Sequence, residues 1–444
     1  MRTSWRSALR LSLVVGAAAW VLWWSITNGR AEQRTNLSVK LGAAPLIGRS
    51  ETDGWVWRWG WSLAGAALLA GVIAAGCWRG WWWCVRQRWV VLATAVGAAL
   101  FASLLALSDG LDGLRYGAAH ETEYLINLRY TPPAGKFLRT FISQIKFYSV
   151  HARGHPPGYL LILKLLHFVG LRGVWPVVVM SIVATGVAAA AVVLAVRAVA
   201  GDEWMRRVAP LLIVAPYAIW MMTSGDAVFT CVGALGVAAA AEGSTRGRRQ
   251  ALLFGLAAGL LFGFLLFLTY LGALMLVIPA TLVLVALLQR QRGGWMVLVG
   301  GVASGLAVVG LFRIAGFWWF DGLAATKEQY HAGSAQFRDW SYFEIGNIGA
   351  ALFALGPATV VGLGTLRSRR LWLLVGSASV ALAASHLSRY TKGEVERIWL
   401  LFFPWIAIAA AGLVVRSRRW SGASIVVLQA GCAIVLQAAL QSKW

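Results

Sequence analysis

The segment SVHARGHPPGYLLILKLLHFVG, Ser149–Gly170, decides how this chain is threaded through a membrane. An apolar run at 158–170 directly follows two histidines, an arginine and the pair Pro156–Pro157. A helix that crosses the hydrocarbon core needs about 20 apolar residues. The run is too short, so we expect an interfacial or re-entrant helix that the prolines begin, where the first N–H groups have no helical partners.

The composition is that of a polytopic, all-α membrane protein. The 444 residues are 59% hydrophobic and only 13% charged, with a mean hydropathy of +0.69, well outside the range of soluble domains. The net charge of +23 does not indicate a nucleic-acid partner, because the basic residues are scattered in short clusters between apolar runs. The four cysteines lack metal-ligand spacing and imply no disulfide framework.

Apolar stretches of spanning length predict a bundle of about 13 transmembrane helices. The first stretch follows a basic flank without a convincing cleavage site, so we expect it to be retained. The candidate spans are 8–27, 59–78, 89–107, 174–196, 208–224, 226–242, 251–268, 270–288, 295–312, 346–363, 371–387, 398–415 and 421–438.

The basic clusters predict the orientation of the chain, because short cytoplasmic loops are enriched in Lys and Arg. If the N-terminus is cytoplasmic and 158–170 does not cross, every arginine-rich cluster between helices falls on the cytoplasmic side. Only three of the 17 acidic residues, Asp202, Glu203 and Glu242, fall there with them. We therefore expect a multi-pass protein of the plasma membrane with its chemistry on the outer face.

Three outer segments, 108–157, 313–345 and 388–397, could carry that chemistry. We expect the first to form a cap of short interfacial helices, one of them near 137–148. We divide the chain into an N-terminal helix pair with an outer loop, 1–88, and a larger module, 89–444, that holds all three segments.

The loop 108–157 contains four carboxylates, Asp109, Asp112, Glu121 and Glu123. A carboxylate beside a low-dielectric cleft is suited to take a proton from a hydroxyl group, and the alternative is that these are solvated loop charges. His151 and His155 lie four residues apart, but a glycine between them and the prolines after them argue against a zinc site on one helical face. We assign no metal ligand.

Two further features are candidates for a site. Asp226 lies at the edge of an apolar segment, where an ionisable group is either functional or a helix N-cap. The stretch SRYTKGEVERIW, Ser388–Trp399, concentrates charge in a short outer loop against the topology bias, which favours an anion site for a phosphate. Its charged residues are Arg389, Lys392, Glu394, Glu396 and Arg397.

These features in this order resemble the GT-C class of polyprenyl-phosphate-dependent membrane glycosyltransferases. That class includes the protein O-mannosyltransferases and the lipid A aminoarabinose transferases. The resemblance covers about residues 89 to 415, and the strings GHPPG and KGEVERIW look most like an actinobacterial branch. It implies transfer of a sugar from a polyprenyl-phosphate donor to an envelope glycan, lipid or protein acceptor, usually with inversion. Mannose or arabinofuranose on a decaprenyl carrier would suit such a branch.

The resemblance also implies roles for the charged residues. A carboxylate of the first outer loop would be the general base: Glu123 first, then Glu121, Asp112 and Asp109. The Glu-Thr-Glu sequence departs from the commoner paired Asp-Asp or Asp-Glu pattern, which leaves the identity of the base open. The remaining candidates would bind substrate, with the basic residues of the late loop on the phosphate and His155 near the phosphate or the acceptor. They are Tyr124, His151, His155, Asp226, Arg389, Lys392, Glu394, Glu396 and Arg397.

Membrane lipids are expected partners, and a divalent cation, magnesium or manganese, is left open as a cofactor. The alternative function is a multi-pass transporter or lipid flippase, with Asp226 and the outer carboxylates as coupling sites. We see no matched pair of Gly/Pro-broken helices in two halves, which such a site would lead us to expect. A third reading is a non-catalytic scaffold for envelope assembly.

Overall fold

A computed structural model describes residues 5–35, 57, 59–222 and 225–440. The structure is 82% helix, without strands in the described ranges, which confirms the all-α class. Nine helices of the described chain are long and apolar enough to cross a membrane, so the chain is a multi-pass membrane protein. They are Leu9–Gly29, Trp61–Arg79, Gln87–Ala119, Val174–Ala200, Asp226–Ser244, Arg248–Leu268, Arg292–Ile314, Arg369–Leu387 and Trp420–Ala439.

Two more candidate spans are sharply bent pairs of helices. Trp340–Leu355 and Pro357–Thr365 meet at 97°, and Val395–Leu401 and Phe403–Leu413 meet at 79°. Gly356 between the first two has φ 75, and a proline follows it, so the helical hydrogen-bond ladder is interrupted there. The side chain of Gln429 closes this gap: its Nε2 donates to Leu355 O at 3.0 Å, and its Oε1 accepts from the amide of Ala358 at 3.1 Å.

The predicted count of 13 spans is therefore not confirmed: the described residues give nine, or up to eleven if each bent pair counts as one. The stretch 208–224 is divided between the helix Asp202–Ile213 and a 3-10 turn, Pro216–Trp220. The stretch 270–288 is divided into Gly272–Met275 and Val277–Leu288. An average of hydropathy over a window does not register such breaks.

The run after Pro156–Pro157 forms the helix Gly158–Phe168, whose 11 residues are too few to cross a membrane. Other short helices precede it, and the predicted helix near 137–148 is replaced by the end of the helix Ala134–Thr140 and the 3-10 turn Ile145–Phe147. A membrane-surface cap stays a prediction. These short elements are Gly110–Ala119, which continues the third spanning helix after a 3-10 turn, Leu125–Arg129, Ala134–Thr140, Ile145–Phe147 and Val150–Arg153.

Arginines from several helices lie at one end of the bundle. There Arg206 donates to the carbonyl of Val85 at 2.9 Å, Arg197 pairs with Glu242, and Arg416 lies 5.0 Å from the ring of Trp83. We call this the arginine end. The helix Asp226–Ser244 leads from Glu242 at the arginine end to Asp226 at the opposite end, where Asp226 meets the segments 107–157 and 388–397 through Arg397 and Glu123; we call this the loop end.

The helices of the predicted N-terminal unit, 1–88, pack directly on the rest of the bundle. Trp5–Thr35 contacts Trp340–Leu355, and Trp61–Arg79 contacts Arg419–Ala439 and Gln87–Ala106. The boundary at residue 88 stays a prediction.

Candidate functional site

A buried arginine lies at the centre of the site. Arg397 lies in the first turn of the second bent pair and is 2% exposed. Its Nη1 lies 3.1 Å from Oε1 of Glu123, and its Nε lies 3.1 Å from Oδ2 of Asp226. A buried charge is tolerated when it is paired in this way, and the price of removing one partner is high. Three distant parts of the sequence thus meet in one ionic cluster.

His151 completes this cluster. Its Nε2 lies 3.4 Å from Oε1 of Glu123 and 3.3 Å from Nη1 of Arg397, and its Nδ1 contacts Nη2 of Arg397. Arginine only donates and its closer contact is to Nδ1, so we assign Nδ1 as the acceptor nitrogen and place the ring hydrogen on Nε2, which faces Oε1 of Glu123. Burial, and after it the charge of Arg397, holds the pKa of His151 well below its usual range, so the ring is neutral at pH 7.

The Glu123 carboxyl is 2% exposed and belongs to a cluster with two acids and one base. Burial, opposed by the charge of Arg397 and reinforced by that of Asp226, raises its pKa to about 8. Protonation of Glu123 leaves one carboxylate opposite one guanidinium, which avoids a net buried charge. Glu123 is therefore mainly protonated at neutral pH.

Local hydrogen bonds place Glu123 beside His151. Asn127 donates from Nδ2 to Oγ of Ser149 at 2.7 Å and accepts the backbone N–H of Ser149 at 2.9 Å. Ser149 Oγ in turn donates to the carbonyl of Glu123 at 2.7 Å, and the backbone N–H of His151 donates to Thr122 O at 3.0 Å. These hydrogen bonds fix the segments 122–127 and 149–151 to each other independently of the ionic cluster.

Aromatic rings form the wall next to the cluster. The ring of Tyr124 lies 4.7 Å from that of Tyr159 and 5.8 Å from that of His155, whose ring lies 5.4 Å from Phe229. Sterics require glycine at the second glycine position of GHPPG, because a Cβ at Gly158 would lie 2.3 Å from the backbone carbonyl oxygen of Phe267. Only glycine permits this close approach of the Pro-Pro turn to the neighbouring helix.

A cavity of about 490 Å³ opens beside the cluster, with Arg397 and both histidines, His151 and His155, in its lining. Much of the rest of its surface is apolar, with Leu271, Leu274, Trp319, Leu323 and Ile398 among the lining residues. Five cationic side chains line the cavity, and Glu394 is the one carboxylate among its described lining residues. The cations are Arg153, Lys327, Arg338, Lys392 and Arg397.

The late loop is tied to the first helix of the first bent pair and to the segment before it. Asn347 donates to Thr391 O at 2.7 Å and accepts the N–H of Gly393 at 3.0 Å. Lys392 Nζ donates to Ala335 O at 3.2 Å. Glu394 has φ 60, a left-handed conformation that is unfavourable for residues other than glycine.

Eight of the predicted site residues lie at the cluster or the cavity. Tyr124, Glu123 and Asp226 belong to the cluster and its aromatic wall, and Lys392 and Glu394 line the cavity with His151, His155 and Arg397. Glu123 borders a separate, narrow cavity of about 10 Å³, with room for about one water molecule, and does not line the large one.

The other predicted residues lie elsewhere. Asp109, Asp112 and Glu121 are exposed, and Asp112 pairs loosely with Arg115 at 3.6 Å. Arg389 is exposed over the ring of Trp340, and Glu396 is fully buried without lining the cavity. The roles proposed for these residues stay predictions.

Sequence reasoning missed several residues that shape the site. Asn127 and Asn347 fix the two loops, and Arg153, Lys327 and Arg338 line the cavity. Lys327 and Arg338 lie in the predicted outer segment 313–345, and this position in the sequence was the one indication that they could belong to the site. In the described ranges no three His, Cys, Asp or Glu side chains are grouped as metal ligands.

The fold and the site define a multi-pass helical membrane protein with a buried ionic cluster beside a cavity that is both cationic and apolar. Comparison of the chain with protein-family models, with curated proteins and with solved structures finds no match. The resemblance to the GT-C class therefore rests on the sequence motifs and stays a prediction.

Proposed function

We propose that this protein is a glycosyltransferase that moves a hexose or pentose from a polyprenyl-phosphate donor to an acceptor hydroxyl group. The observation that carries the proposal is the cavity lining, which combines five cationic side chains with a largely apolar surface. A polyprenyl-phosphate sugar has the matching parts, a charged phosphate and a hydrocarbon tail. A volume of about 490 Å³ is within the range of small-molecule sites.

The cations differ in how far carboxylates already neutralise them. Arg397 is paired with Glu123 and Asp226, and Arg338 lies 3.6 Å from Glu394. Lys327 instead lies 4.8 Å from the ring of Tyr390, and Lys392 donates to a backbone carbonyl group. The two lysines therefore keep their charge available for a phosphate, with the guanidinium groups fixed beside them.

This arrangement supports displacement at the sugar carbon. The departing phosphate gains negative charge, and cations held in a partly apolar cavity stabilise that charge more strongly than they would in bulk water. Glu123, the first candidate for the base from the sequence, contacts Arg397 and His151 and borders the narrow cavity. In this proposal its carboxyl group holds those two side chains in place.

The proposal places the reaction on the outer face of the plasma membrane, with the N-terminus in the cytoplasm. Its support is the position of the cavity at the loop end, opposite the arginine end of the bundle. The acceptor would be an envelope glycan, lipid or protein. Mannose and arabinofuranose on a decaprenyl carrier are the first donors to test.

The test is sugar transfer by purified protein in liposomes, with radiolabelled decaprenyl-phosphate sugars and an envelope extract as acceptor. Lys392→Met should raise the donor KM at least tenfold, because it removes a cation from the cavity lining. Arg389→Met is the matched control, since it removes a cation of the same loop that does not line the cavity.

Equal effects of the two variants would show that the cavity is not the donor site. Absence of transfer by the wild type with every donor, together with movement of the carrier lipid between leaflets, would replace the proposal with the flippase alternative.

A further inference from the structure

Three side chains that line the large cavity can accept a proton: His151, His155 and Glu394, among the residues that the structure describes. The carboxylates ranked from the sequence lie outside this lining. A general base must come within hydrogen-bond reach of the hydroxyl group that it activates. If the proposed function is correct, the base for a reaction in this cavity is one of these three.

His151 is already occupied on both ring nitrogens. Nε2 faces Oε1 of Glu123 at 3.4 Å, and Nδ1 accepts from the Arg397 guanidinium. A proton acceptor needs a nitrogen lone pair that faces the substrate, and the contacts of this ring leave it none.

Glu394 lies on the cationic part of the lining, with Oε1 at 3.6 Å from Nη2 of Arg338 and Lys392 two residues before it. Those cations are the groups available to a phosphate. A carboxylate among them is placed to orient the cations or to contact the sugar that the phosphate carries, rather than the incoming acceptor.

His155 has the geometry that a base requires. Its Nδ1 lies 2.9 Å from the carbonyl oxygen of His151, which only accepts, so Nδ1 carries the hydrogen of the neutral ring. Nε2 is then the acceptor nitrogen, and no residue of the described chain hydrogen-bonds to it. The side chain is half-buried and lines the cavity.

The surroundings of His155 fix its position and its charge. Its ring contacts Tyr124 and Phe229, and the Pro-Pro turn that follows is held against Phe267 by the close approach at Gly158. Burial lowers the pKa of His155, the charge of Asp226 opposes this, and the charge of Arg397 adds to it. The ring is therefore neutral at pH 7.

We propose that Nε2 of His155 is the proton acceptor of the transfer reaction. The hydroxyl oxygen of the acceptor forms the bond to the anomeric carbon as the bond from that carbon to the phosphate oxygen breaks. The electron pair of that bond stays on the phosphate, and the hydroxyl proton moves to Nε2. The resulting imidazolium then releases the proton to water.

Two variants test this role in the liposome transfer assay. His155→Asn keeps an amide N–H at the position of Nδ1, and His155→Gln places an amide oxygen near Nε2 that accepts a hydrogen bond but is not basic. Each should lower kcat by 10²- to 10⁴-fold with little change in the binding of decaprenyl phosphate. His120→Asn is the control, because His120 bonds to Thr122 and does not line the cavity.

The pH profile separates a base from a structural residue. Wild-type kcat/KM should fall with unit slope below the pKa of His155, which burial lowers from its ordinary value, and the variants should lose that limb of the profile. If His155→Asn does not fold, His155→Gln decides. Retention of kcat within threefold of wild type by either folded variant would overturn the assignment of the base to His155 and leave the proposed function standing. Absence of transfer by the wild type would overturn the proposed function, and the assignment with it.

Discussion

Replacement of Glu123 by glutamine should make the stability of the protein less dependent on pH. In the wild type, burial raises the pKa of Glu123 to about 8 from an ordinary value of 4.5. The folded state therefore holds a proton that the unfolded state has already lost between these two values. The stability that this proton contributes is fully present below pH 4.5 and is lost as the pH rises through 8.

The size of the effect follows from the shift. Each pKa unit corresponds to about 1.4 kcal/mol, so the wild type should lose roughly 5 kcal/mol between pH 4.5 and 9 through this group. If the entropy of unfolding per residue is that of soluble domains, a chain of this length loses about 5 °C in Tm. Glutamine has nearly the shape of the protonated acid and does not titrate, so this loss should disappear in Glu123→Gln.

The assay is thermal unfolding in detergent followed by tryptophan fluorescence, at intervals from pH 5 to pH 9. Glu123→Gln should match the wild type at pH 5 and exceed it by several degrees at pH 9. Asp112→Asn is the control, because this carboxylate is exposed and belongs to the same loop. If Glu123→Gln and the wild type lose Tm in parallel, Glu123 is ionised in the folded protein and the reasoning fails.

Three further predictions concern the cluster and its supports, each measured by thermal unfolding unless stated. Arg397→Met should destabilise the fold by about 3 to 5 kcal/mol, because it leaves the buried carboxylate of Asp226 without its cation; an unchanged Tm would contradict this. Gly158→Ala should cost about 1 to 3 kcal/mol through the clash with the carbonyl of Phe267, whereas Gly154→Ala should cost less. Asn347→Ala should release the late loop and raise the donor KM more than it lowers kcat in the transfer assay, and an unchanged KM would refute this.

The class of the fold could be predicted from the sequence because hydropathy and length are local properties. The short run after Pro156–Pro157 was recognised for the same reason, since 11 helical residues do not reach across a membrane. The bends at Gly356 and Phe402 were not predicted. They depend on the backbone of one or two residues, which an average over a window of about 20 conceals.

The site was predictable in its parts but not in its pairing. Glu123 and Arg397 were both candidates, but they are 274 residues apart, and only the packing of the helices brings them together. Glu123 is buried and Glu121 exposed because Asn127 and Ser149 hold that stretch of backbone. In the same way, the charge pattern alone does not distinguish Lys392 from Arg389 three residues earlier.

The bridge from Gln429 to the break at Gly356 also constrains how the protein is made. The amide of Ala358 and the carbonyl of Leu355 depend on a side chain 71 residues further along the chain from Ala358. At 5 to 20 residues per second, a ribosome needs roughly 4 to 14 s to reach it. For that interval the bent segment has two backbone groups to satisfy in another way, because a polar group left unbonded in lipid costs several kcal/mol. The translocon, or water inside it, must therefore supply hydrogen-bond partners for these two groups until the last described helix is inserted.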